Sequence, residues 1–441
     1  MPTLLSTSVL TPLRTPALRR LWAGQLAALL AAEIHLVVLA WLALDLTGSG
    51  LALGTVLVVG MLPRAALTLV GGVTADRHDH RRVLAAAHAT RAAVVAALAV
   101  TAAAGGLRLW HLVAAGLALG AVTAFAAPAV HTVVPRECPP EQLRAGNALL
   151  RGTAEVVGTA GPVLGGGLVA LAGTGPTLAA VASCYTLAFV VTASLLVRAP
   201  AGSPWRGTSA AAQPAPPHGT RGSLRRTLAD LREGAAALRH DPFALRVLAL
   251  VAAAGLALSG PVTVGVPWLA RRELDLDAAA FGLLLSLWTA GSLLGVVIAG
   301  SVRRVPRWRV AMTTVAGVLV AALVTLATTP TLPVAAACLL AMGTAAGALN
   351  VLLVTWLQQR APAEALGRIM SWAELAEVVV APVSYLAAGV LLDASLTALF
   401  VGAAAVLLLG TLAVVTPGLR PTGAAVRPRP TATGASGSPP R

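Results

Sequence analysis

The residues of this chain best placed to do chemistry are the few ionisable side chains inside its long apolar runs, because a charge in hydrocarbon is costly and asks for a partner or a function. Glu33 is the clearest of them. It stands about 12 residues after Leu21 in the first apolar run, or ~18 Å along a helix, close to the middle of a bilayer-thick segment. Arg64 has a similar depth in the second run, and antiparallel neighbours can bring the two together. Desolvation raises a carboxyl pKa and a nearby arginine lowers it, so such a pair can take up and release a proton as water comes and goes. This makes Glu33 a candidate proton-coupling group or a contact for a cationic ligand, with Arg64 tuning it. The competing reading is an ion pair that closes a helix bundle. His35 sits beside Glu33 on another helix face. It has the side chain that titrates nearest neutrality, but a single histidine in such a run is more often a packed polar residue.

A second group stands shallower, toward one end of the runs. Arg91 lies in the third run, Arg151 and Glu155 are spaced i, i+4 in the fifth, and Glu374 and Glu377 are spaced i, i+3 in the eleventh. Together with Asp76, Arg77 and Arg81 after the second run, they can form a gate of ion pairs; the alternative is snorkelling to the interface. Asn350, Thr355 and Trp356 in the tenth run are candidate contacts for a small-molecule substrate, set against the packing and interface anchoring that explain most membrane tryptophans. The run from Ala114 to Val130 carries no charge, with His111 and His131 flanking it.

The elements that must position these residues follow from composition. Hydrophobic residues make up 57% of the 441-residue chain, charged residues 11%, and mean hydropathy is +0.81. A soluble domain carries roughly a quarter charged residues. The apolar residues fall into blocks of about 20, the length of a helix that crosses a bilayer. The predicted spans are 18–45, 52–75, 83–105, 109–134, 147–172, 176–197, 245–270, 279–301, 309–329, 332–358, 367–392 and 394–416. The sequence therefore predicts an all-α integral membrane protein with twelve transmembrane helices in two six-helix bundles. The units are 1–197, a linker at 198–243, 244–416 and a disordered tail at 417–441. Within the linker, Leu224, Leu228 and Leu231 share a helix face, as in a basic amphipathic helix on the membrane surface or a solvated linker helix. There is no lysine, and outside the apolar runs the arginines crowd alternate connections, the linker and the tail; the opposite side holds only Arg108, Arg271 and Arg272, and Glu273, Asp275 and Asp277 offset the last two. The positive-inside rule then places both termini in the cytoplasm.

The formal net charge of +15 does not indicate nucleic acid, because the arginines cluster at the ends of apolar blocks. Cys138, Cys184 and Cys338 form no close pair, so neither a metal site nor a disulfide framework is expected. No cleaved signal peptide is expected.

Several stretches resemble the major facilitator superfamily. Gly72-Val73-Thr74-Ala75-Asp76-Arg77-His78-Asp79-His80-Arg81-Arg82 is similar to its loop signature G-x-L-A-D-R-x-G-R-R, departing from it at Thr74, Asp79 and His80. Gly300-Ser301-Val302-Arg303-Arg304 stands in the matching place of the second half, without the aspartate. Gly161-Pro162 and Gly165-Gly166 match the core of the antiporter motif G-x-x-x-G-P-x-x-G-G, with Val157 at its leading glycine. Gln358-Gln359-Arg360-Ala361-Pro362 and Leu366-Gly367-Arg368-Ile369-Met370-Ser371 resemble the start of segment eleven in the enterobactin-exporter and macrolide-efflux branch.

The resemblance implies two bundles rocking about a central cavity, with Gly161, Pro162, Gly165 and Gly166 packing the halves together. It implies proton-coupled export of a drug, siderophore or metabolite across the cell inner membrane, in a fold that can work as a monomer, with no metal or organic cofactor. The rivals are uptake by the same fold, and an integral-membrane transferase. For the second, Arg77, His78, Asp79 and His80 are the one dense polar cluster, and with no lysine there is no phosphate-binding P-loop.

Overall fold

The computed structural model describes residues 11–197, 242–302, 308–360 and 363–415. The described residues form twelve long helices. The first six are α1 (Pro16–Thr47), α2 (Gly50–Arg77), α3 (His80–Ala103), α4 (Leu109–His131), α5 (Leu143–Ala172) and α6 (Thr174–Val197). Helix α7 begins as Pro242–Gly260 and runs on through a π stretch (Pro261–Gly265), an α turn (Val266–Trp268) and a second π stretch (Leu269–Glu273). Then come α8 (Ala278–Ser301), α9 (Trp308–Thr328), α10 (Leu332–Arg360), α11 (Ala363–Ala394) and α12 (Leu396–Val415). Eleven helical stretches are long and apolar enough to cross a membrane, and α11 contributes a shorter apolar stretch, Val379–Ala394. Helices apolar on all faces, with small residues where they cross, are what a bilayer selects. The predicted runs match the helices to within a few residues. The linker helix around Leu224–Leu231 and the tail lie outside the described residues.

Local chemistry sets the breaks between helices. Gly48 adopts φ 63°, which only glycine takes without strain, and its N–H bonds the Leu44 carbonyl to end α1. Ser49, Asp79 and Asp277 then accept backbone N–H groups at the starts of α2, α3 and α8.

The packing is a ring with a repeat. In the first half α2 packs on α4, α4 on α3, α3 on α6, α6 on α1 and α1 on α5. The second half repeats this order as α8 on α10, α10 on α9, α9 on α12, α12 on α7 and α7 on α11. Helix α5 meets α8 and α2 meets α11, so the two halves close a ring around a central chamber.

Among the described residues, the halves touch at one end of the ring only. On α5, Pro162 and Gly166 sit against Gly282 and Ala278 of α8. Glu155 projects from the same side of α5 two turns away, yet it is exposed. On α8, Val296 lies on the side of Ala278, five turns along, and is 41% exposed. On α2, Gly50 and Gly54 touch Leu392, Gly389 and Tyr385 of α11, whereas Thr68, farther along that side, is exposed. Among the described residues the chamber is therefore sealed at the end holding the α1–α2 and α7–α8 turns and open toward the arginine-rich end.

Candidate functional site

The seal is built from charge, aromatic and backbone contacts between the halves. Asp45 at the end of α1 pairs with Arg271 in the second π stretch of α7, at 3.0 Å. The Arg271 guanidinium also lies 5.0 Å from the ring centroid of Trp41, and Trp41 stacks at 6.0 Å on Phe281 of α8. Asp393, at the end of α11, reaches across to the start of α2. It accepts the Gly50 N–H at 3.2 Å and the Ser49 hydroxyl at 3.3 Å. A carboxylate at a helix N-terminus is favoured by the helix dipole, so the second half caps a helix of the first. The Gly166–Gly282 contact adds a seam without side chains: a Cβ on Gly166 would run into the Ala278 carbonyl, and one on Gly282 into the Pro162 carbonyl.

Glu33 lies near the middle of α1, half-buried, and among the described residues it forms no ion pair. Helix α5 presents Gly161 to it, and a Cβ there would overlap the Glu33 Cβ. Gly165 packs against Ile34 and Val37 of the same helix. The glycine-proline motif expected to join the halves thus serves two seams, Gly161 and Gly165 against α1, Pro162 and Gly166 against α8.

Arg64 is exposed, and no ion pair joins it to Glu33. Gly60 turns toward α4 and Gly50 toward α11, and at about 100° per residue Arg64 falls between those directions. A side chain between the two ring neighbours of α2 points into the chamber. The Thr68 hydroxyl, one turn on, donates to the Arg64 carbonyl.

Arg91, expected near one end, instead lies near the middle of α3 and inside the first half. Its Nη2 donates to the Thr123 hydroxyl of α4 at 3.2 Å, and its guanidinium lies 5.9 Å from the Tyr185 ring of α6. One turn earlier, His88 is buried with its Nδ1 unpaired; His35 in α1 is buried likewise. The shallow reading of Arg91 failed because α3 starts earlier than predicted, at His80, and because its polar partners lie on two other helices.

At the arginine-rich end a second cluster ties the α2–α3 turn to the segment between α4 and α5. Arg81 grips Glu137 with two hydrogen bonds of 2.9 Å, and His80 adds a third at 3.0 Å. Burial alone would raise the Glu137 carboxyl, but the hydrogen bonds from His80 and Arg81 and the Arg81 charge outweigh it and hold it below the ordinary carboxylate range. Arg81 is thereby committed within its own half. Arg151 and Glu155 are exposed on α5 and form no pair with each other. The side chains of Asp76, Arg77, Glu374 and Glu377 lie outside the described residues.

Two helix sextets with one packing order, closed on a central chamber, match known proteins over nearly the whole chain. The family model described as Major Facilitator Superfamily matches residues 21–379 and 259–439. The chain belongs to the Major Facilitator Superfamily. Among solved structures of similar fold is a bacterial homologue of the iron transporter ferroportin in an inward-facing state, with TM-score 0.68 and 16% identity, covering 91% of this chain and 98% of that one. The nucleoside transporter NupG aligns with TM-score 0.67 and 14% identity over 90% and 98% of the two chains. In sequence, 123 residues are 31% identical to Macrolide efflux protein A of Streptococcus pyogenes, over 28% of this chain and 30% of that protein. The chain thus spans less than a third of the length of that curated relative.

As a facilitator-superfamily member the chain is a multi-pass membrane protein and a transporter rather than an enzyme, and the remaining candidates can be placed on its ring. Asn350 of α10 is exposed, Thr355 is half-buried, and Trp356 is buried on the side of α10 that carries the core residues Ala345 and Leu349. Sequence reasoning missed Asp45, Trp41, Asp393 and Glu137, whose partners are far away in sequence. It also counted Arg271 as offset by its acidic neighbours. Asp275 does approach Arg271 at 4.0 Å, but it is 96% exposed, and Asp45 is the closer partner.

Proposed function

We propose that this facilitator-superfamily member is a secondary active exporter of a small organic molecule at the cell inner membrane, driven by proton antiport. The observation that carries the reading is Glu33, a mid-membrane carboxylate without an ion-pair partner among the described residues, at the contact of α1 with the glycines of α5. A carboxylate that is free to change protonation, on a helix lining the chamber, can exchange a proton for a substrate as the halves rock. Similarity to a macrolide efflux protein over 123 residues supports the export direction and a bulky organic substrate. Arg64 supplies a positive field within the chamber, and Asn350 and Thr355 of α10 offer hydrogen bonds to the substrate.

Both termini are cytoplasmic in this reading, and the described state is open to the cytoplasm, ready to load substrate. In the opposite state, Arg151 and Glu155 on the side of α5 that faces α8 meet the second half and, with Asp76, Arg77, Glu374 and Glu377, close the cytoplasmic end. Arg81 and Arg91 contribute from within the first half.

Transport in inside-out vesicles tests this. With a proton gradient imposed and lumenal pH followed by acridine fluorescence, adding a hydrophobic drug from a panel is expected to release protons from the lumen. Glu33→Gln is expected to abolish that response while leaving the thermal melt unchanged. A Glu33→Gln protein that still exchanges drug for protons at the wild-type rate removes Glu33 as the coupling group.

A further inference from the structure

A pocket of about 350 Å³ lies between α2, α3 and α4 at the arginine-rich end. Its shape follows from the packing order, since α4 holds both α2 and α3 while those two make little contact with each other. They splay apart, and α4 forms the floor of the groove between them. The groove lies on the outer side of the ring: Thr74 in its wall projects from α2 away from the chamber-facing side that carries Arg64 and Thr68. It therefore opens to the bilayer and not to the transport path. Val122 and Phe125 supply the floor, Val83 and Ala86 one wall, and His78 and Arg82 the rim.

The rim is positive and its charge is not spent on the described acids nearby. Glu137 is taken by Arg81 and His80, and Asp79 accepts from the Arg81 N–H and approaches His80 at 3.5 Å. Arg82 is exposed and forms no ion pair among the described residues. His78 donates from Nδ1 to the Thr74 carbonyl at 3.1 Å, which turns its other ring nitrogen outward.

We infer that this groove is a binding site for an anionic phospholipid of the cytoplasmic leaflet, its phosphate held by Arg82 and His78 and an acyl chain laid on Val122 and Phe125. An apolar trough entered from the bilayer under a cationic rim fits a molecule with an anionic head and a hydrocarbon tail, and basic pockets between helices on the cytoplasmic side take such headgroups. Free phosphate would leave the apolar floor unfilled. The site is separate from the chamber, so the inference stands whether the transported molecule moves outward or inward.

Native mass spectrometry of the purified full chain tests it, with phosphatidylglycerol and phosphatidylcholine of identical acyl chains as probes. Phosphatidylglycerol is expected to be retained about fivefold more strongly, and Arg82→Gln to erase that preference. Arg108→Gln, at the opposite end, is expected to leave it intact, and Ala86→Trp, which fills the groove, to lower retention of both lipids. Because Arg82 is exposed, its replacement is not expected to disturb folding, and thermal melting of each variant checks that. Equal retention of the two lipids by the wild-type chain overturns the inference, as does an unchanged preference in Arg82→Gln. Displacement of the lipid by millimolar glycerol 3-phosphate also overturns it, because it would show a site for the headgroup alone.

Discussion

At the residue scale, Glu33 was legible because a carboxylate inside an apolar run is conspicuous whatever surrounds it. Its environment was not: Gly161 is far away in sequence, and Arg64, which antiparallel helices could have brought to it, instead faces the chamber without an ion pair among the described residues. The clamp of His80 and Arg81 on Glu137 was equally hidden, because it joins residues 56 and 57 positions apart. The clamp makes a prediction about acid stability. The carboxyl of Glu137 is held below its ordinary range when folded, so its bonds stabilise the fold fully above the unfolded pKa and fade as pH falls through the folded one. Replacing Glu137 by Gln leaves a part-buried arginine and histidine without their anion, at a cost of about 3 kcal/mol. In thermal melts at pH 7 the variant is expected to unfold at lower temperature than the wild type. The gap should narrow as the buffer is taken below pH 4, and a constant gap would deny the clamp its charge.

At the element scale, twelve apolar runs announced twelve helices, because a bilayer admits few alternatives to a helix and fixes its length. Two features of those helices were legible only in part. Pro261 and Pro267 mark an irregularity in α7, but the residue types do not show that it takes the form of two π stretches, the second of which carries Arg271 to Asp45. Part of the mending is visible: the Gly260 N–H donates to the Ser384 hydroxyl of α11 at 2.7 Å, and that hydroxyl donates to the Leu256 carbonyl at 2.8 Å. Ser384→Ala leaves a buried N–H without its acceptor, a loss of roughly 1–3 kcal/mol, and hydrogen exchange at Gly260 is expected to speed up. Unchanged protection there would mean that another group takes over. The glycine motif of α5 was legible as a packing motif, but its division between α1 and α8 depends on which helices flank α5. Gly282→Leu is expected to hold the α5–α8 seam apart, because its side chain would meet the Pro162 carbonyl. An introduced Ala278→Cys, in a background without Cys138, Cys184 and Cys338, should then label faster from the far side of the membrane.

At the scale of the whole molecule, the sequence carries both ends of the ring and says nothing of which is shut. The charged residues it displays most openly sit at the arginine-rich end, where this state is open. The far-end latch is made from ordinary helix-terminal residues, Asp45, Arg271 and Asp393, that acquire meaning only when the halves meet. Asp45 and Arg271 are each about one-third exposed, so their pair is worth at most ~1 kcal/mol, or about fivefold in the balance between the two states. Spin labels at Ala104 and Thr329, in the far-end turns of the two halves, are expected to show Asp45→Ala shifting population toward the longer distance. The reciprocal swap of Asp45 to Arg and Arg271 to Asp should move it back. A distance distribution unaffected by either change would leave the closure to the backbone seam and the Asp393 cap.

The seam of Gly166 and Gly282 matters for more than closure. A membrane protein with a water-filled chamber on one side must insulate the other against the ion gradients of the cell, and side chains, which hop between rotamers, make an imperfect gasket. Backbone laid directly on backbone, with no Cβ between, leaves no gap that thermal motion can widen to admit a file of water. These two glycines therefore share with the Asp45–Arg271 pair and the Asp393 cap the task of keeping the chamber's far end shut. Serine at either glycine, whose Cβ would meet the Ala278 or the Pro162 carbonyl, is expected to raise the substrate-independent proton leak of proteoliposomes, and a leak equal to the wild type's would show that the seam does not insulate.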